Sequence, residues 1–137
     1  MSESDTQKAI LDLIRYRGGV ATRVNSGSAI FKGKNGNVNV IRGAEKGTSD
    51  ILACYRGRYL AIEVKYGKGK PTPEQLEFGR QVRDSGGLFL VAYDVEEVNR
   101  LLDEIDRECS VARSKFLAEH FGRGTTIPIP PPPNEEG

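Results

Sequence analysis

The sequence predicts a single α/β domain in which helices flank a central mixed β-sheet. Amphipathic helical patterns alternate with short apolar strands, the chain has 137 residues, and 37% of these are hydrophobic. This length corresponds to about one domain, and the apolar content suffices for one modest core. We expect the domain to span residues 1–121, with its core at about 2–100 and accessory helices at about 95–121.

The first element is an amphipathic helix predicted over residues 2–17. Apolar residues recur at helical spacing between Ile10 and Ile14. Either Ser2 or Ser4 can serve as the N-cap, and the pattern does not separate the two. If the helix begins at Ser2, Glu3 lies on the same stripe as the core residues.

Four strands are predicted next. Residues 20–25 and 37–42 are separated by a Gly/Ser/Lys-rich stretch, in which Asn35-Gly36 is a turn signal, so we expect them to pair as a hairpin. Residues 51–55 and 59–65 are rich in apolar and aromatic side chains and are joined by a short turn. These two segments are predicted as central strands.

A second helix and a further strand follow. Thr72 is a good N-cap, Pro73 suits the first helical position and Gln75 completes a capping box, which predicts a helix to about Ser85. Residues 88–93 form a nearly continuous apolar run. Such a run is typical of a strand buried on both faces, so we expect it inside the sheet.

The remaining residues are acidic and then proline-rich. Helical spacing predicts an acidic helix over residues 95–105 and a weaker one over 111–121. Residues 122–137 contain a proline run and too few apolar residues to bury a core. We expect this last segment to be a flexible tail.

Charge is divided unevenly along the chain, although the net charge is only +1. Residues 1–70 hold 13 Lys and Arg against 6 Asp and Glu, whereas residues 71–137 hold 7 against 13. A basic half suggests a surface that faces a polyanion, most commonly nucleic acid. The alternative is a solvated surface on which the charges segregate without function.

Several classes of protein are disfavoured. The sequence has no run of about 18 apolar residues, and it begins with acidic and polar residues instead of a signal peptide, so we expect a cytoplasmic protein without membrane contact. Cys54 and Cys109 are far apart, and His120 is the only histidine. Zinc, a disulfide framework and histidine catalysis are therefore poor explanations.

Candidate chemistry lies where two predicted strands meet. In the strand over residues 59–65, alternation places Glu63 and Lys65 on one face. Asp50 opens the preceding strand, and the intervening turn can bring it beside the end of the next one. Two carboxylates and a lysine then converge at one sheet edge. Taken singly, these residues also fit a solvated strand face and a turn aspartate.

Such a cluster suits phosphodiester chemistry with a divalent cation. Mg²⁺ prefers oxygen ligands, which Asp50, Glu63 and the backbone carbonyl of Val64 can supply. A bound metal polarises the phosphoryl oxygen and favours a bound hydroxide. Lys65 either helps to position and deprotonate the attacking water or neutralises charge that builds on the transition state.

These residues resemble the D, ExK and Q elements of the PD-(D/E)XK nuclease superfamily, and more closely its VRR-NUC family of virus-type replication and repair nucleases. The resemblance covers residues 2–100 approximately. It is carried by the following segments: Gly47-Thr48-Ser49-Asp50, Glu63-Val64-Lys65, Thr72-Pro73-Glu74-Gln75, Glu3-Ser4-Asp5-Thr6-Gln7, Arg23-Val24-Asn25-Ser26-Gly27, and Gly86-Gly87 before a hydrophobic strand.

The resemblance implies a restriction-endonuclease-like core of αβββαβ order with additional C-terminal helices, and hydrolysis of DNA that depends on Mg²⁺ or Mn²⁺, with no small-molecule cofactor. Asp50 and Glu63 match the metal carboxylates of the family, Lys65 its catalytic lysine, Gln75 its helix glutamine and Glu3 its N-terminal glutamate, which is a further candidate metal ligand. Small members of the family resemble Holliday-junction resolvases that act as homodimers, which suits a two-fold symmetric junction.

Other interpretations remain open from the sequence. Gln75 can act only as a helix cap, and Glu3 can merely favour a helix N-terminus. The same catalytic site can serve a flap or nicking nuclease, and a basic face without catalysis would make the protein a DNA-binding module. If the site is real, we expect DNA contacts from Arg23, Asn25, Lys32, Lys34, Lys46, Lys68 and Lys70.

Overall fold

The computed structural model describes residues 2–25 and 28–120. Its nine elements, in chain order, are α1 (Glu3–Tyr16), β1 (Val20–Arg23), β2 (Ser28–Lys32), β3 (Val38–Arg42), β4 (Ile51–Tyr55), β5 (Arg58–Val64), α2 (Pro73–Asp84), β6 (Leu88–Ala92) and α3 (Val95–His120). The expected tail over residues 122–137 lies outside the described part. Among the described helices, none has an apolar stretch long enough to cross a membrane.

Four strands form the main sheet in the order β1-β4-β5-β6. β4 is antiparallel to both β1 and β5, and β6 is parallel to β5, so the sheet is mixed as predicted. The expected central position of β4 and β5 is confirmed. β6 lies at an edge, so its predicted place inside the sheet is wrong. Its apolar sequence is explained by α2 and α3, which both pack against β6, although among the described residues only β5 pairs with it.

The predicted hairpin between residues 20–25 and 37–42 is wrong. β1 pairs with β4, whereas β3 pairs with β2, which lies in the stretch interpreted as a connecting loop. The Asn35-Gly36 turn does occur, but it joins the two strands that flank it immediately. Short turns favour pairing of adjacent strands, and β2 supplies the adjacent partner for β3.

The helix boundaries follow from their caps. The Ser2 side chain accepts a hydrogen bond from the Asp5 backbone, and the Asp5 side chain accepts one from the Ser2 backbone, so α1 is capped by Ser2 and not by Ser4. Thr72 and Gln75 form the predicted capping box of α2. The C-terminal segment is one continuous helix of 26 residues, so the two separate helices predicted there are wrong.

The core lies between one face of the sheet and the helices α1 and α3. Ile10 and Ile14 of α1 are fully buried, as are Leu102 of α3 and Ile62 of β5. Burial of such side chains contributes about 1.5–3 kcal/mol each, so this face holds the sheet and both helices together. α2 covers the opposite face, where Gly79 leaves just enough room for the Phe89 ring: a Cβ at Gly79 would lie 2.4 Å from it.

Candidate active site

Asp50 is fixed at the point where β4 begins. Its Oδ2 accepts a hydrogen bond of 2.8 Å from the Val64 backbone N–H, beyond the last β4–β5 register pair, Ile51 and Ile62. The Asp50 side chain thus extends the bonding between β4 and β5 by one step, and the bond holds the carboxylate beside the C-terminal end of β5. The loop before it is tight, since Gly47 has a φ of 91° and packs directly on α2.

Glu63 lies at the centre of the site and is almost completely buried, with 1% of its surface exposed. Its Oε1 accepts a hydrogen bond of 2.9 Å from Gln75 Nε2 and lies 3.6 Å from Lys65 Nζ. Its Oε2 is also buried and has no hydrogen-bond partner among the described residues. A buried carboxylate oxygen without a donor is energetically costly, which points to an additional ligand.

Gln75 acts both as a helix cap and as a member of the site. Its Oε1 accepts a hydrogen bond of 2.8 Å from the Thr72 backbone N–H, while its Nε2 donates to Glu63. The two alternatives left open by the sequence are therefore compatible. The cap fixes the direction of the amide, so the donor is held toward Glu63 by the geometry of the helix start.

The electrostatics of the site centre on Glu63. Burial and, to a smaller extent, repulsion by the Asp50 carboxylate together raise the pKa of Glu63 from 4.5 to about 8. The neighbouring Lys65 ammonium opposes this effect. Without a second cation, Glu63 is therefore largely protonated at neutral pH.

The donor set fits a hard divalent cation. The carboxylates of Asp50 and Glu63 offer oxygen ligands. Glu63 Oε2 has no hydrogen-bond partner among the described residues and is therefore available to a cation. A bound cation would also take the place of the proton on Glu63 and favour its ionised form, as expected where metal binding is coupled to ionisation. Within the described residues, no group of three or more His, Cys, Asp or Glu side chains gathers in one place, so protein carboxylates alone would not complete the coordination.

The N-terminal candidates lie at the same end of the sheet, without direct contact to the cluster. Glu3 is exposed in the first turn of α1, and no hydrogen bond or ion pair joins it to Asp50 or Glu63 within residues 2–25 and 28–120. Arg23 donates hydrogen bonds to Gln7 Oε1, at 2.8 Å from Nε, and to Ser4 Oγ at 3.1 Å. α1 therefore holds this exposed guanidinium in a fixed direction.

The remaining basic candidates lie outside the cluster. Lys46 lies 3.5 Å from the Glu74 carboxylate, and Lys34, Lys68 and Lys70 are exposed. Lys32 lies on β2, and the backbone carbonyl of Asn25 accepts a hydrogen bond of 2.8 Å from the Ala44 N–H.

Tyr93 is a residue that the sequence did not indicate. Its hydroxyl donates a hydrogen bond of 2.8 Å to the Gly69 carbonyl, in the loop that carries Lys68 and Lys70. Tyr93 follows β6 directly, and β6 is paired with β5, so the bond ties this basic loop to the sheet next to Lys65. The sequence presented Tyr93 only as the end of an apolar strand, and no local pattern links it to residue 69.

Comparison with known proteins supports the fold. The sequence matches no protein-family model and no curated protein. It is similar to a solved structure described as "VRR_NUC domain", with a TM-score of 0.53 and 24% sequence identity; the match covers 74% of this chain and 94% of that chain. The predicted α/β, restriction-endonuclease-like architecture is confirmed, and the chain has the fold of a VRR_NUC domain.

Proposed function

We propose that the protein is a metal-dependent DNA endonuclease of the VRR-NUC family. The observation that carries the proposal is the cluster in which Glu63, buried and with one free oxygen, touches Lys65 and Gln75 beside the fixed carboxylate of Asp50. The cluster lies at a strand end of a VRR_NUC fold. Buried, pKa-shifted carboxylates next to a lysine are characteristic of catalytic sites.

Mg²⁺ or Mn²⁺ would be held by Asp50, by Glu63 through Oε2 and by the backbone carbonyl of Val64, with Glu3 as a further candidate. When bound, the ion polarises the scissile phosphate and lowers the pKa of a bound water. Asp50 is oriented for this role by its bond to the Val64 N–H, and Glu63 by its bond to Gln75. Such fixed ligands lower the reorganisation required during the reaction.

Lys65 acts as the cation of the site. Its ammonium group lies 3.6 Å from Glu63 Oε1 and is partly exposed, so it can reach a phosphate at the mouth of the site. There it stabilises the negative charge that develops as water attacks phosphorus, the phosphorus–oxygen ester bond breaks and the leaving oxygen takes up a proton. Gln75 is a positioning residue, because it contacts Glu63.

The finer proposal is a homodimeric Holliday-junction resolvase. A two-fold symmetric dimer can place one site on each of two opposed strands of a four-way junction. Support comes from the resemblance of the motifs to small VRR-NUC proteins and from the basic residues beside the site. A flap or nicking nuclease with the same site is the second candidate.

Cleavage of end-labelled DNA by the full chain tests both levels of the proposal. The substrates are a four-way junction, a flap and a linear duplex, each with Mg²⁺, Mn²⁺ or EDTA. We expect paired symmetric cuts at the junction that disappear in EDTA and in Asp50→Ala, Glu63→Gln and Lys65→Ala. Glu104→Gln, an exposed change on α3, is the matched control and should cut like the wild type.

The possible outcomes separate the candidates. Cuts confined to the flap would retain the nuclease and reject the resolvase, and a monomeric mass in sedimentation at micromolar concentration would reject the homodimer. DNA binding by folded protein without cleavage of any substrate would favour a noncatalytic binding module. Full activity in one variant would remove that residue from the mechanism.

A further inference from the structure

β2 and β3 form a two-stranded ribbon that is separate from the main sheet. The two strands pair antiparallel with each other over five residue pairs, from Ser28 with Arg42 to Lys32 with Val38. Within the part of the chain that the structure describes, neither strand pairs with β1, β4, β5 or β6. An isolated two-stranded hairpin is only marginally stable in water, which suggests that the ribbon serves a purpose other than supporting the core.

The base of the ribbon lies directly beside the candidate active site. The Val24 N–H donates a hydrogen bond of 2.8 Å to the Asp50 carbonyl, and one residue later the Asn25 carbonyl accepts one from Ala44. The chain therefore leaves β1 next to Asp50, runs out along the ribbon and returns to the loop that leads to Asp50. Five residues per strand give the ribbon a length of about 17 Å.

The charge of this region is entirely positive. No Asp or Glu occurs between Asp12 and Glu45, and the ribbon itself carries Lys32, Lys34 and Arg42. Residues 34–38 at its turn are exposed, including Lys34, Asn35 and Asn37. Lysine and asparagine are side chains that can hydrogen-bond to base edges as well as to phosphates.

We propose that the β2–β3 ribbon enters the major groove of a DNA duplex arm adjacent to the strand that is cut. The inference rests on the proposed nuclease function and adds to it the element that holds the arm. A two-stranded ribbon fits the major groove, which is about 12 Å wide, whereas the minor groove of about 6 Å is too narrow. The ribbon's position beside Asp50 places the bound arm next to the scissile phosphate.

Binding to a fluorescent four-way junction tests this role in the full chain. Every protein carries Glu63→Gln to prevent cleavage, and anisotropy is recorded in EDTA over a series of KCl concentrations. Lys32→Ala/Lys34→Ala is compared with Arg107→Ala/Lys115→Ala, which removes two exposed charges from α3. A further variant replaces residues 29–41 with a short Gly/Ser turn.

We expect the ribbon double variant to bind about tenfold more weakly or worse, and its slope of log Kd against log salt to fall by about 1.8, since each phosphate contact contributes about 0.9. The α3 pair should leave both quantities unchanged. Methylation of guanine N7 in the arm, which places a methyl group in the major groove, should weaken binding by the parent protein more than binding by the ribbon replacement.

Two results would overturn the inference without affecting the proposed function. One is an unchanged affinity and salt slope in both ribbon variants, and the other is insensitivity of the parent protein to guanine N7 methylation. Cleavage by the wild type, measured in parallel, distinguishes failure of the ribbon inference from failure of the proposed nuclease function. If the wild type cuts neither the junction nor the flap nor the linear duplex, the proposed nuclease fails as well. The melting temperature of the Lys32→Ala/Lys34→Ala variant, expected to equal that of its parent, reports on folding.

Discussion

Replacement of Glu63 by glutamine should change how the stability of the metal-free protein depends on pH. The folded protein holds the Glu63 proton up to a pKa of about 8, whereas the unfolded chain releases it near the ordinary value of 4.5. Between these pH values the folded state binds more protons than the unfolded state. The free energy of unfolding therefore decreases as pH rises through this window, and the stabilising contribution is complete only below about pH 4.5.

The size of this decrease in unfolding free energy follows from the difference between the two pKa values of Glu63. At about 1.36 kcal/mol per pH unit, the rise from 4.5 to about 8 gives about 5 kcal/mol as an upper limit. Relaxation of the surroundings around the ionised carboxylate keeps the loss below this limit, so we expect about 2–4 kcal/mol. Glutamine matches the protonated carboxyl in shape and still accepts the bond from Gln75, so the Glu63→Gln variant should lack this decline.

Urea unfolding in EDTA at pH 5, 6.5 and 8.5 measures the effect. The difference in unfolding free energy between wild type and Glu63→Gln removes the contribution of all other titrating groups, and Glu104→Gln serves as an exposed control. The stability of the variant should lie within about 1 kcal/mol of the wild type at pH 5 and exceed it clearly at pH 8.5. Parallel curves at all three values would refute the assignment of a buried, proton-binding Glu63. Addition of Mn²⁺ at pH 8.5 should stabilise the wild type more than the variant.

Three further changes test the contribution of residues outside the catalytic cluster. Gly47→Ala should destabilise the protein by about 1–3 kcal/mol and slow cleavage, since its Cβ would lie 2.5 Å from the Glu74 carbonyl; normal stability and rate would contradict the close packing of this loop. Tyr93→Phe removes the bond to Gly69, and anisotropy should show weaker DNA binding, with a stability loss of only about 1 kcal/mol; unchanged affinity would reject the role of this tether. Deletion of residues 122–137 should leave turnover unchanged, and a large loss in the cleavage assay would show that this segment contributes to catalysis.

The predictable part of the site depends on local patterns. Alternation along β5 placed Glu63 and Lys65 together, and the capping box fixed the start of α2, whereas the role of Gln75 in the site came from the family resemblance. Asp50 followed because β4 and β5 are joined by a short turn, which leaves one pairing register. Each of these inferences needs contacts only between neighbouring elements of the chain.

Several of the errors concern contacts between distant segments. β1 pairs with β4, although β2 and β3 lie between them in the sequence. The apolar pattern of β1 does not indicate with which strand it will pair. The apolar sequence of β6 indicates that other elements pack on the strand, but it does not indicate whether a strand pairs with β6 on each side. The bond from Tyr93 to Gly69 spans 24 residues, and only the folded chain brings the two together.

The most direct measurement of the central claim is single-turnover cleavage of a labelled four-way junction by wild type and Glu63→Gln, side by side, in Mn²⁺ and in EDTA. If Asp50, Glu63 and Lys65 form a metal-dependent nuclease site, the wild type cuts in Mn²⁺ only and the variant is at least 10²-fold slower, as expected for the loss of a group that stabilises the transition state. Equal rates for the two proteins, or cutting that persists in EDTA, would contradict the claim.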